Sequence, residues 1–181
     1  MIADRATVLV SVLIGGSKVR KLMMCAAFSL GLFAQESSPD WAKFDFLLGN
    51  WVGVAGEKDT PLGAGQGGFS FESSLNKKII IRRNRAEYDK GATHDDLMVI
   101  YLENSPRAIY FDSEGHVIRY NTAFPAKDSI VFESDGSQPG QKYRLSYWLE
   151  AGVLKGKFEV APPGADFKAY LSWSSKRVPA K

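Results

Sequence analysis

The strongest constraint in this chain is a two-residue alternation of apolar and polar side chains that recurs through its C-terminal half. In KYRLSYWL (Lys142 to Leu149), Tyr143, Leu145, Tyr147 and Leu149 alternate with Lys142, Arg144, Ser146 and Trp148. Successive side chains of a β-strand point to opposite faces, so this pattern suits a strand with one face buried. The same period runs through VLKGKFEV, where Leu154, Phe158 and Val160 oppose Lys155, Lys157 and Glu159, and through FKAYLSWSSKRV, where Phe167, Ala169, Leu171 and Trp173 share a face. LNKKIIIRRNRAEY, DLMVIYLE and SIVFES are further candidate strands, and RAIYFDSEGHVIRYNTAF reads as a hairpin turning at Asp112-Ser113-Glu114-Gly115. Helical periodicity is confined to a lead-in from Trp41 to Leu48, where Phe44, Leu47 and Leu48 fall at i, i+3 and i+4. Strands separated by turn signals at intervals of roughly ten residues predict an all-β domain. The expected form is a single antiparallel up-and-down β-barrel of about 8–10 strands with a short N-terminal helix, because closure leaves no exposed edge.

Ahead of the lead-in, Lys18, Arg20 and Lys21 precede LMMCAAFSLGLFA, a 13-residue apolar run from Leu22 to Ala34. A membrane-spanning helix needs about 20 apolar residues, so the run is too short to cross a bilayer. It has the n-region and h-region of a signal peptide, with cleavage expected after Ala34. The expected organisation is a signal peptide over 1–34, a polar linker over 35–40 and a barrel domain over 41–181. Of the 23 Lys+Arg and 20 Asp+Glu, the leader holds Arg5, Lys18, Arg20, Lys21 and Asp4, which leaves 19 of each sign. A neutral mature chain gives no electrostatic footing for nucleic acid. The only Cys, Cys25, also lies in the leader, so the mature domain must be stable through its core without a disulfide. The expected location is periplasmic or extracellular, with no stable membrane anchor after cleavage.

FDFLLGNWVG places Gly49 two residues before Trp51 at the start of the first strand, and Arg177 stands near the end of the last. A guanidinium over an indole face is a favourable cation–π arrangement, worth about 0.5–2 kcal/mol, and here would tie the two ends of the sheet. Gly49-x-Trp51 combined with Arg177 resembles the signature of the calycin superfamily, the lipocalin-like barrels. That resemblance implies a structural closure role for Gly49, Trp51 and Arg177, with the Trp sealing one end and the Arg over its ring. FDFLLGNW followed by GAGQGGFSFE is similar to the small bacterial barrels of the nitrobindin-like group, and HDDLMVIY with AIYFDSEGHVIRY looks like a stretch of small exported bacterial proteins without assigned activity. The nitrobindin-like resemblance implies haem held by a His near the C-terminus. The closing strand FKAYLSWSSKR departs from it, with Tyr170 and no His, so no cofactor is assigned and haem is disfavoured.

His94 and His116 are the only histidines. THDDL gathers His94, Asp95 and Asp96, but consecutive strand residues alternate faces and cannot all converge on one ion, so no metal site is assigned. A metal pair becomes possible only if His94 and His116 meet across neighbouring strands. Arg83 and Arg85 share a face with Ile79 and Ile81. Turned outward they are a solvated surface; turned inward they require a carboxylate, with Glu72, Asp96 and Asp112 as candidates. With that face inward, the candidate ligand-binding residues are Arg83, Arg85, His116, Tyr120, Tyr143 and Tyr147. Ile79, Ile81, Tyr110, Phe158 and Trp173 would complete the wall. There is no G-x-S-x-G or H-E-x-x-H, and no catalytic residue is assigned. GAGQGG lacks the Lys-Ser/Thr and helix of a phosphate loop and reads as a flexible hairpin tip. The expected function is binding of a small apolar or amphipathic molecule inside the barrel. The alternatives are an envelope structural or interaction module with a packed core, or a haem-binding, hydrolase or isomerase barrel.

Overall fold

The computed structural model describes residues 41–54, 65–88 and 91–179; the expected signal peptide and linker lie outside the described residues. After a 3-10 turn at Trp41–Phe44 come ten strands: β1 Gly49–Gly53, β2 Gly65–Ser74, β3 Ile79–Tyr88, β4 Thr93–Leu102, β5 Pro106–Asp112, β6 Val117–Ala123, β7 Ser129–Ser134, β8 Lys142–Glu150, β9 Val153–Ala161 and β10 Lys168–Val178. Each strand pairs antiparallel with the next, and β1 also pairs with β10, so the sheet closes on itself in up-and-down order. The backbone groups that two edge strands would leave open are thereby paired.

The lead-in to β1 is shorter than the helical spacing predicts. Only Trp41–Phe44 turn as a 3-10 helix, and Phe44, Phe46 and Leu47 are all buried. Three apolar side chains within four positions cannot share one stripe of a surface helix, so the segment plugs the barrel end instead. Phe44 meets Phe124 edge-on at 5.0 Å and Trp41 at 5.3 Å. Above this plug the inward positions of the strands form the core, including Phe71, Ile80, Met98, Ile100, Phe132 and Leu154. Burying a side chain of this size contributes about 1.5–3 kcal/mol.

Two glycine-dependent contacts shape the wall. Gly65 to Gly68 belong to β2 and are not the hairpin tip that their composition suggests; Gly63 lies outside the described residues. A Cβ on Gly67 would stand 2.3 Å from the Arg85 carbonyl oxygen, and one on Gly68 2.7 Å from that of Trp51, so bare backbone is needed for this close approach. On the opposite wall Trp173 lies across Gly156, where an added Cβ would fall 2.1 Å from the indole.

The β9–β10 register shifts between Ala169 and Leu171, which leaves Tyr170 as a bulge. This breaks the single face expected for Phe167, Ala169, Leu171 and Trp173. Ala169 pairs with Glu159 and is exposed, whereas Leu171 and Trp173 pair with the inward Phe158 and Gly156. Phe167 packs under the Arg144 guanidinium at 3.8 Å.

Candidate functional site

Trp51 and Arg177 are cross-strand partners on β1 and β10. The guanidinium sits 4.6 Å from the indole centroid and donates to the Leu48 and Phe46 carbonyls, while Trp51 Nε1 donates to Leu47 O at 2.7 Å. Gly49 has a φ of +120°, and a Cβ there would crowd Arg177 at 3.3 Å. Residues 46–51 and 177 thus form one structural unit at the plugged end.

The other half of the interior is open. A cavity of about 640 Å³ reaches the barrel end that carries the β5–β6 turn. Its polar wall comes from β3 to β6. On β3 the inward positions are Ile80, Arg82, Asn84 and Ala86, and Arg82 is only 5% exposed. Asp96, on the inward face of β4, receives hydrogen bonds from Arg82 Nη1 and from Asn84 Nδ2 at 2.9 Å, and lies 3.3 Å from His94 Nε2. Further toward the mouth, His94 Nε2 is 3.1 Å from Tyr110 Oη, and Nδ1 is 3.0 Å from the Glu114 carboxylate. Asp112 accepts from the Glu114 and His116 amides and sits 2.8 Å from His116 Nδ1.

These contacts set the charge states. The hydrogen bond to Asp96, against an opposing effect of burial, raises the His94 pKa to about 9, with Glu114 adding to it. Burial opposes ionisation of Asp96, but Arg82, His94 and Asn84 hold its carboxyl below the usual range. Burial chiefly pushes the Tyr110 and Tyr120 hydroxyls up, so both stay protonated and able to donate. The facing wall, from β8 to β10, is aromatic: Tyr143 stacks on Phe158 at 6.0 Å, Tyr170 meets Phe158 edge-on at 6.3 Å, and Trp173 lies deeper.

The residues singled out in the sequence are divided by this arrangement. His116, Tyr120 and Tyr143 line the cavity, as do Tyr110, Phe158 and Trp173. Tyr147 is fully buried and packs edge-on against Trp173 at 5.7 Å. Arg83 and Arg85 are exposed on the outer face, in an open depression with Leu97 and Phe111, which corrects the reading that turned them inward. Arg85 pairs outside with Asp95 and Glu87. Ile79 and Ile81 share that outer face and are not cavity wall. Arg82 and Asn84 were the residues missed. Asp96, one of the three carboxylates considered for an inward arginine, takes that role, but for Arg82 in place of Arg83 or Arg85. His94, weighed only as a metal ligand, joins the same carboxylate. The arginine count, one on the Arg82 face of IIIRRNRA against two on the other, makes the Arg82 face the less unfavourable to bury but does not fix the choice, which rests on cross-strand register.

Among the described residues, Asp112, Glu114 and His116 bring ligand atoms within 4.8 Å of one another. Asp112 is already engaged by two turn amides and His116, and Glu114 by His94, so the cluster is accounted for by its own contacts. Tyr170, the residue weighed for haem in the sequence, is on the bulge and 46% exposed at the mouth, and both imidazoles are tied to carboxylates.

No family model matches this chain, and no curated protein matches it significantly in sequence. Its fold is similar to the crystal structure of Rv2717c from M. tuberculosis, with a TM-score of 0.56 at 12% identity, over 78% of this chain and 99% of that one. A likeness at that identity is one of architecture alone.

Proposed function

We propose that this is an exported, lipocalin-like barrel of calycin type that holds a small amphipathic molecule in its open half. The observation that carries this reading is the cavity itself. Its volume of about 640 Å³ falls within the roughly 300–1,000 Å³ of small-molecule sites. A packed module would fill both halves of the interior as it fills the plugged one. The aromatic wall of Tyr143, Phe158 and Trp173 suits a flat apolar body, and Tyr110, Tyr120 and His116 offer polar contacts on the other side.

Native mass spectrometry of protein purified from its own host tests the reading. A co-purifying small molecule that leaves on mild activation is the expected result. Protein that carries nothing, and that fails to enhance the emission of an amphipathic naphthalene fluorophore, overturns it. The same spectrum checks export, because a mature chain beginning at Gln35 is expected.

A further inference from the structure

We infer that the outer face of β3 to β5 is the contact surface of a two-fold symmetric dimer, so that its occupant is a second copy of this chain. The inference goes beyond the cavity reading and does not depend on it. Two rows of cross-strand partners carry it. One runs from Glu72 on β2 through Ile81, Val99 and Ile109 to Arg119 on β6; the other runs from Arg83 through Leu97 and Phe111 to Val117. Their chain neighbours Phe71, Ile80, Met98, Ala108 and Ile118 are buried in the core, so both rows point outward. Phe111 and Val117 stand side by side, 41% and 39% exposed. Single exposed apolar residues are ordinary, whereas a contiguous apolar patch rimmed by charge marks an interaction surface.

The opposite wall has a different outer face. There the row from Glu133 on β7 through Arg144 to Glu159 on β9 is charged throughout, and Arg144 pairs with both carboxylates. No ion pair among the described residues uses Glu72, Arg83 or Arg119, and Asp135, whose charge Arg119 feels, is held by Arg107. The order of the first row selects the occupant. A two-fold axis lying in the contact along β4 sets Val99 against Val99 of the second copy, Ile81 against its Ile109, and Glu72 against its Arg119. Apolar meets apolar and acid meets base, and each unlike pair is made twice. The same axis brings Leu97 onto Leu97 and Arg83 over the Phe111 ring of the second copy, a cation–π arrangement. A surface that is its own complement is what an isologous dimer requires. Four strand spacings separate Glu72 from Arg119 by about 19 Å. The longest side chains thus stand at the ends of the row, where the curvature of two barrel walls opens the gap. A patch of this extent lies at the small end of specific interfaces, so the dimer is expected to dissociate on dilution.

Sedimentation velocity over about 1 to 500 μM, on wild type and variants purified from the protein's own host, tests the inference. A reversible shift from monomer to dimer within that range is expected for the wild type. Glu72→Arg and Arg119→Glu each place like charges opposite one another twice per dimer, and each alone is expected to weaken association about tenfold or more. The double variant restores unlike pairs and is expected to return to within about threefold of the wild type. Val99→Asp, on the axis, is expected to leave only monomer. Near-ultraviolet circular dichroism checks that each variant keeps the barrel, and should Val99→Asp not fold, the charge reversals carry the comparison. A wild type that stays monomeric throughout overturns the inference, whether or not it then binds phospholipid vesicles. A dimer indifferent to every variant overturns it too, as do single reversals whose effect the double variant fails to relieve. None of these outcomes bears on the cavity reading.

Discussion

Asp96 is the residue on which the polar half of the interior depends. It receives Arg82, Asn84 and His94 at once, in a site where each of these groups has lost most of its water. Removing one member of a buried ion pair strands the other, so Asp96→Ala is expected to destabilise the protein by about 3–5 kcal/mol in urea unfolding. Arg85→Ala breaks ion pairs of the same kind on the outer face, where water screens them, and is expected to change stability by about 0–1 kcal/mol. His94 adds a pH signature. Its pKa rises from the ordinary 6.5 to about 9 on folding, so its contribution is full below about pH 6.5 and is lost as pH climbs through 9. Asp96 has the opposite sign: its folded pKa is depressed, and its contribution goes as pH falls through the acid range. Melting temperatures of the wild type are expected to fall between pH 6.5 and 9, and this fall is expected to be smaller in His94→Gln. A residue-level reading could place Tyr120 and Tyr143 in apolar-rich strands, but it could not choose between the two faces of IIIRRNRA. Cross-strand register decides that choice, by setting Asn84 opposite Asp96 and so bringing Arg82 to the same carboxylate.

Among the elements, β9 and β10 show how a strand's side chains depend on its neighbour. VLKGKFEV reads as a strand, yet nothing in it says why Gly156 interrupts the apolar face. The reason is Trp173, whose indole occupies the space a side chain would need. Gly156→Ala is therefore expected to displace the indole, destabilise the protein by about 1–3 kcal/mol and alter the near-ultraviolet circular dichroism. The bulge at Tyr170 is equally invisible in the sequence, since period two continues on either side of it and only the pairing with β9 reveals the slip. Turn chemistry was more legible: Asp112-Ser113-Glu114-Gly115 joins β5 to β6 as its composition predicts, with Gly115 at positive φ. Ala151 and Gly152, between β8 and β9, both have positive φ, the two-residue geometry that matches strand twist.

At the scale of the molecule, the barrel is closed by its two extremities. Arg177 over Trp51 supplies a cation–π contact and two hydrogen bonds to the lead-in carbonyls. Arg177→Met removes all three and is expected to lower stability by about 2–4 kcal/mol. Because closure joins the first strand to the last, the contacts that complete the sheet are among the most distant in sequence. Folding in milliseconds to seconds is expected in stopped-flow refolding. The all-β class, the antiparallel order and most strand positions followed from the sequence alone, because period two and turn residues are local properties of the chain. The number of strands settled at ten, the face that β3 turns inward, and the division of the interior into a filled and an open half were decided only by the tertiary structure. Each of these depends on register and closure, relations between segments far apart in sequence that no local pattern encodes.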